Sequence, residues 1–286
     1  MQIITLTTDM GYTDHYVAAL KGKLYALAPA AKVIDISHAV KPFNISQAAY
    51  YLESSYKNFP EGTIHIIGVD PEPLVNFSQP ELSALPTIMQ LKGQFFVGND
   101  NGIFSLLLRN QEPQGLWAID DVLSQPELMK FPTKNILVPA ACKLANGEKP
   151  DEFASPTKSY KKAFRINPVI DGHTLKGSVI HIDHYGNLIT NIRQDDFYRL
   201  GRNIPFIIYF RQKEYFIDEI SLGYNEVPAG EKVAIFNDEG LLEIAINKGT
   251  PENGGGANQL FGLQVGDVVR IEFTPRGSRE TISSLF

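Results

Sequence analysis

The 286-residue chain has one cysteine, Cys142, which excludes an intrachain disulfide and any cysteine-based zinc cage within one chain. Basic residues are outnumbered, 26 Lys and Arg against 32 Asp and Glu, for a net charge of −6. That balance, with no basic run and no RNA-binding aromatic pattern, argues against nucleic acid or an anionic membrane as partner. No apolar run approaches the ~20 residues of a membrane span. The N-terminus lacks a basic segment followed by a long apolar stretch, so the expected location is the cytoplasm. Neither GxxxxGK[ST] nor HExxH occurs, which removes the phosphate loop and the commonest zinc-hydrolase signature. What remains, 43% hydrophobic and 20% charged residues, describes an ordinary globular protein long enough for two domains, each with its own core.

The first 150 residues alternate strand and helix patterns, which predicts a mainly parallel sheet covered by helices. Residues 3–7 read as a strand, followed by Asp9, a turn at Gly11 and a helix carrying Val17, Leu20, Leu24 and Leu27 up to Pro29. Thr13 or Asp14 is its expected cap. Residues 32–36 form a second strand leading through His38 to a helix that starts at Asn44. Residues 63–69 form a third strand, ending in Asp70. Residues 87–91 and 94–97 pair as a hairpin, Gly98 to Gly102 open a helix over 103–108, and a last helix spans 133–146. Asp9 and Asp70 thus both stand at carboxyl ends of strands, where open parallel sheets bind ligands. A carboxylate there can accept two hydrogen bonds from a ribose diol, or satisfy loop amides.

Between residues 148 and 176 the composition shifts to Pro, Ser, Lys and Asp without periodicity, and the domain junction is placed there. The expected domains are an α/β nucleoside-binding domain over 1–165 and an all-β, small antiparallel barrel-like domain over 172–286. Its predicted strands are 178–182, 188–191, 206–210, 214–217, 232–236, 241–246 and 268–273. His181, Asp183 and His184 are close in sequence, but in a strand His184 points away from the other two, so no metal site is expected. Asp100 and Asn101 read as a helix start, and His38 as a core histidine bonded to a backbone carbonyl.

Six blocks carry a family resemblance: Thr8-Asp9-Met10-Gly11 with Asp14; Asp35-Ile36-Ser37-His38 with Asn44-Ile45 and Ala48-Ala49-Tyr50; Gly68-Val69-Asp70-Pro71; Val97 to Gly102; Ile182 to Asn191; and Asn237 to Gly249. In that order they resemble the S-adenosylmethionine (SAM) hydroxide adenosyltransferases, relatives of the fluorinase and chlorinase enzymes. The resemblance implies an N-terminal α/β domain, a C-terminal barrel-like domain and a homotrimer. Ligand would lie between the N-terminal domain of one subunit and the C-terminal domain of its neighbour. The implied reaction is attack of water or hydroxide on the ribose C5′ of SAM, giving adenosine and methionine without a cofactor.

By the same resemblance Asp70 is the catalytic residue, while Asp9, Asp14, Asp183, Tyr185, Asn187 and Asp238 bind substrate. Asp9 would hold the ribose hydroxyls, Asp183 the substrate ammonium and Asn187 the nucleoside or methionine end, with Tyr185 packed on it. The chain departs from the family pattern in several places. Glu72-Pro73-Leu74 replaces Gly-Val-Gly, Phe77 stands at the Arg position, and Pro132 stands at the His position of the loop now reading Phe131 to Asn135. Asp238 occupies the place of a Ser that helps bind the substrate carboxylate, which it would repel. Glu72 and Lys134 are the nearby substitutes. The alternatives to hydrolysis are a non-catalytic binder of SAM or adenosine, and an enzyme acting on another 5′-substituted adenosine.

Overall fold

A computed structural model of the chain describes residues 2–76, 78–79, 82–120 and 124–274. It divides into two compact units, Met1–Arg165 and Ile166–Phe286.

In the first unit, β1 (Ile3–Thr8), α1 (Tyr16–Leu27), β2 (Lys32–Ser37), α2 (Ile45–Ser55) and β3 (Ile64–Gly68) alternate as read. β4 (Pro86–Leu91) and β5 (Gln94–Asn99) form the hairpin, followed by α3 (Ile103–Leu108) and a short β6 (Gly115–Ala118). A π-helical turn, Thr133–Leu137, runs directly into α4 (Val138–Ala145), and β7 (Ser155–Pro156) closes the sheet. Strand order is β2-β1-β3-β5-β4-β6-β7.

The β2-β1-β3-β5 half is parallel, whereas β4, β6 and β7 pair antiparallel. The sheet is therefore mixed, not mainly parallel. The reason is the two-residue turn Lys92-Gly93: a hairpin can only reverse the strand, and β6 then returns along the reversed edge.

Both faces of the parallel half are covered, and apolar strand residues pack on each side. Ile4, Leu6, Ile64, Ile66 and Val97 pack with Leu20 and Leu24 of α1 and with α4 on one side. Ile67, Val69 and Phe96 pack with Ala48, Ala49 and Leu52 of α2 and with α3 on the other. Asn44 caps α2 by accepting from the Gln47 N–H at 2.9 Å. The α1 cap differs from expectation: it is His15, with no side-chain cap bond, while Thr13 and Asp14 are exposed. Leu27, at the last turn, is 42% exposed and outside the core.

The second unit contains β8 (Val169–Asp171), β9 (Thr174–Ile182), β10 (Leu188–Arg193), α5 (Gln194–Gly201), β11 (Phe206–Phe210) and β12 (Gln212–Ile217). β13 (Lys232–Phe236), β14 (Leu241–Ile246), α6 (Ala257–Phe261) and β15 (Val268–Phe273) complete it. The antiparallel order is β12-β11-β15-β9-β10-β14-β13, with β8 beside β9. Edge strands β12 and β13 approach each other without pairing, leaving a nearly closed barrel. Leu188, Ile192, Leu242, Ile244, Val269 and Ile271 fill it, and Phe197 of α5 and Phe261 of α6 complete the filling. Among the described residues no helix is long and apolar enough to cross a membrane.

Candidate functional site

Parallel pairing puts the carboxyl ends of β2, β1, β3 and β5 on one edge, and the loops leaving them carry His38, Asp9, Asp70 and Asn101. Asp9 Oδ2 accepts the Phe43 N–H at 2.9 Å and the Asp70 N–H at 3.5 Å. Both donors have left-handed backbones, φ 63° at Phe43 and 47° at Asp70. Such non-glycine conformations are strained and persist where surrounding bonds enforce them. The enforcement at Asp70 is doubled by Asn101, whose Nδ2 donates to the carbonyls of Val69 (3.2 Å) and Asp70 (2.9 Å). Asn101 Oδ1 accepts from the Ile103 N–H, so it starts α3 as read and also clamps Asp70. Asn99 Nδ2 holds the Glu72 carbonyl at 2.9 Å. Among the described residues Asp9 Oδ1 has no hydrogen-bond donor.

Close packing continues beneath this edge. A Cβ on Gly68 would meet Thr133 Cγ2 at 2.7 Å, so the end of β3 lies against the π-helical turn. The Oγ1 atoms of Thr7 and Thr133 and Oδ1 of Asn99 are buried at this edge without a protein partner. Such orphans, with a π-helical turn beside them, are features that gather at ligand sites.

His38 is fully buried, but its partners are side chains, not the expected backbone carbonyl. Nδ1 lies 2.7 Å from Thr8 Oγ1, and Nε2 lies 3.2 Å from Asp35 Oδ1, off the hydrogen-bond axis. Lys21 Nζ holds the other Asp35 oxygen at 2.6 Å. Burial works to raise the Asp35 pKa, but Lys21 and His38 outweigh it and keep it below the ordinary value. His38 therefore braces the β1–β2 edge from behind.

Asp14 and Glu72 are exposed and no described side chain bonds their carboxylates. Phe77 lies outside the described residues. Pro132 is buried and opens the π-helical turn, and Lys134 Nζ sits 5.1 Å from the Phe131 ring centroid.

In the second unit the β9–β10 connection is a tight turn built on Asp183. Its Oδ1 accepts from the N–H groups of Tyr185 (2.9 Å) and Asn187 (2.8 Å), and its Oδ2 from Asn187 Nδ2 (3.1 Å). Gly186, at φ 84°, lies under Gly256 and Asn258, where a Cβ would come within 2.4 Å of Asn258 Oδ1. Tyr185 is 58% exposed. Asn187 is buried and also donates to Glu243 Oε1 at 3.0 Å, which in turn accepts from Tyr224 OH at 2.5 Å. Burial pushes the Glu243 pKa up, with Asp183's charge adding to it, and the bonds from Tyr224, Asn237 and Asn187 offset only part. The Tyr224 pKa is also pushed up, by burial and by that carboxylate. Asp238 is exposed in the β13–β14 turn, with no described partner for its carboxylate.

Asn101, Glu243 and Tyr224 join these constellations without having been singled out from sequence as site residues. Among the described residues no three His, Cys, Asp or Glu side chains converge as a metal site.

Residues 4–154 match the family model of the SAM hydroxide adenosyltransferase N-terminal domain, and residues 177–270 that of its C-terminal domain. The chain is similar to a (R)-S-adenosyl-L-methionine hydrolase of Thermus thermophilus, 28% identical over 95% of this chain and 100% of the relative. It is 30% identical to one of Methanocaldococcus jannaschii, over 86% and 88% of the two chains. Among solved structures, an uncharacterized conserved protein from Thermotoga maritima superposes with a TM-score of 0.80 at 26% identity, covering 95% of this chain and 99% of that one.

Proposed function

The chain belongs to the SAM hydroxide adenosyltransferase family, and from that premise we propose that it hydrolyses SAM to adenosine and methionine. The observation that carries the reading is the Asp9–Asp70 arrangement, in which one carboxylate fixes the backbone of the other and keeps an oxygen for ligand. Asp9 Oδ1 receives the ribose hydroxyls. Asp70 orients a water in line with the C5′–S bond and takes its proton as the oxygen attacks. The O–C5′ bond forms, the C5′–S bond breaks, and its electron pair returns to sulfur, which leaves as the neutral thioether of methionine. Because the sulfonium is already a good leaving group, positioning and exclusion of other water supply most of the catalysis. No cofactor is needed.

In the second unit, Asp183 takes the substrate ammonium, Asn187 orients the nucleoside or methionine end, and Tyr185 packs on it. The exposed Asp238 weakens the hold on the substrate carboxylate. The family resemblance supports a homotrimer with sites shared between subunits, and the acidic charge supports a small-molecule substrate over nucleic acid. A second reading, a non-catalytic SAM or adenosine binder, is favoured by Pro132 where the family has its catalytic His.

The test is Asp70→Asn. The hydrolase reading predicts that SAM still binds while adenosine release falls by about 100-fold or more. A wild-type protein that binds SAM without consuming it would leave the binder.

A further inference from the structure

The second unit carries a cavity of about 580 Å³ whose described lining includes no residue of the β9–β10 turn. Side chains of β9, β15 and β11 alternate between the barrel interior and its outer face. Leu175, Ile271 and Ile208 pack inside, which turns Lys176, Arg270 and Tyr209 outward, and all three line the cavity. Strand register sets them in one row, with Tyr209 opposite Arg270 and Arg270 opposite Lys176. The Arg270 guanidinium lies over the Tyr209 ring, 5.1 Å from its centroid. Like charges directly opposed on antiparallel strands are destabilising, so the Arg270–Lys176 pair weakens the sheet. Glu272 Oε1 accepts from Arg270 Nη1 at 3.0 Å, a half-exposed ion pair that offsets little. Lys176 is exposed and no described residue pairs with it.

The third cation in the lining is Arg211, in the β11–β12 turn. Its backbone is left-handed, φ 62°, and its Nη1 donates to the carbonyls of Phe261 (2.8 Å) and Gly262 (2.5 Å). A Cβ on Gly262 would come within 1.6 Å of Nη1, so only glycine leaves room for the guanidinium there. These bonds fix the head at the end of α6 without neutralising its charge, and Nε and Nη2 have no described partner. The carboxylate in the lining, Asp267, turns its Oδ2 to the Gln264 N–H of its own loop at 2.7 Å. Three cations against one carboxylate reverse the balance of a chain whose net charge is −6. Capping explains Arg211 and Glu272 explains Arg270, but neither explains why Lys176 shares their cavity.

A phosphate group fits this lining. It carries about 1.5 to 2 negative charges at pH 7, and guanidinium groups bind its oxygens through paired hydrogen bonds. The cavity has the size of a small-molecule site, larger than phosphate alone requires. Leu263, Val268 and the Tyr209 ring supply apolar wall for an organic group. We propose that this outer face of the barrel is a second, non-catalytic site for a small organic phosphate. Lys176, Arg211 and Arg270 hold the phosphate, and the Tyr209 ring packs on the organic group. The site is independent of the SAM reading.

Calorimetry with phenyl phosphate tests it in the wild type, Lys176→Gln, Arg270→Gln and Lys176→Arg. The wild type binds one phenyl phosphate per chain, about tenfold tighter than inorganic phosphate, and excess adenosine does not displace it. Removing either charge weakens binding about tenfold, whereas Lys176→Arg keeps the charge and stays within about threefold of wild type. Absence of saturable binding at millimolar phenyl phosphate overturns the assignment, as does binding that both Gln variants leave unchanged. Displacement by adenosine overturns it too, because it would put the phosphate in the nucleoside site. Inorganic phosphate that binds as tightly as phenyl phosphate removes the organic group from the assignment. None of these readouts uses SAM turnover, so a protein that fails to hydrolyse SAM leaves them standing, and a failure here leaves the hydrolase reading standing.

Discussion

Asp9 holds its loops through Oδ2, and the proposed ribose contact uses Oδ1, so its removal has two expected effects. Asp9→Ala frees the Phe43 and Asp70 amides, lowers unfolding free energy by about 1–3 kcal/mol, and abolishes adenosine binding. Urea melts and calorimetry read the two separately, and an unchanged adenosine affinity would remove Asp9 from the site. His65 is a second residue with a sharp expectation. It is buried between Thr5 and Gln94, and burial drives its pKa down to about 4, with the Gln94 bond countering only part. Between pH 6.5 and 4 the unfolded chain takes up a proton that the folded ring refuses. Stability from this group is therefore complete above pH 6.5 and falls as pH drops through that window, by at most about 3 kcal/mol. NMR of the ring checks it: His65 stays neutral at pH 5.5, and a protonated ring at that pH would contradict the assignment. The strand-end acids were visible in the sequence because each ends an apolar run. Glu243 and Tyr224 were not, since Glu243 meets Asn187 only through β10–β14 pairing, 56 residues along the chain.

At the scale of elements, the proposed site rests on the contact between the end of β3 and the π-helical turn. Gly68→Ala would place a methyl 2.7 Å from Thr133 Cγ2, which destabilises by about 1–3 kcal/mol and displaces the Asp70 loop. Thr133→Ala, which removes the two nearest opposing atoms and leaves Thr8 Cγ2 at 3.2 Å, restores most of that loss in the double variant. Thermal melts of the four proteins measure the coupling, and additive losses would mean that the two elements do not press on each other. The sequence contains the hairpin openly, in Lys92-Gly93 between two apolar runs, and that turn already implies the antiparallel half of the sheet. β6 and β7 were not legible, because strands of four and two residues leave no periodicity to read. The π-helical turn was not legible either, since residues 133–146 carry one continuous helical pattern whose phase slip has no residue signature.

For the whole molecule, the order of six short motifs carried more information than any one of them, because it spans both units and their matches at 4–154 and 177–270. Assembly is the expectation at this scale. Light scattering gives a trimer of the 286-residue chain, and a monomer would remove sites shared between subunits. The central claim, that the family chemistry survives with Pro132 in the place of its catalytic His, is tested by chromatography of SAM incubated with the purified protein. The account predicts adenosine and methionine in equal amounts above the protein-free control, lost with Asp70→Asn. SAM that stays intact at high protein concentration would contradict it.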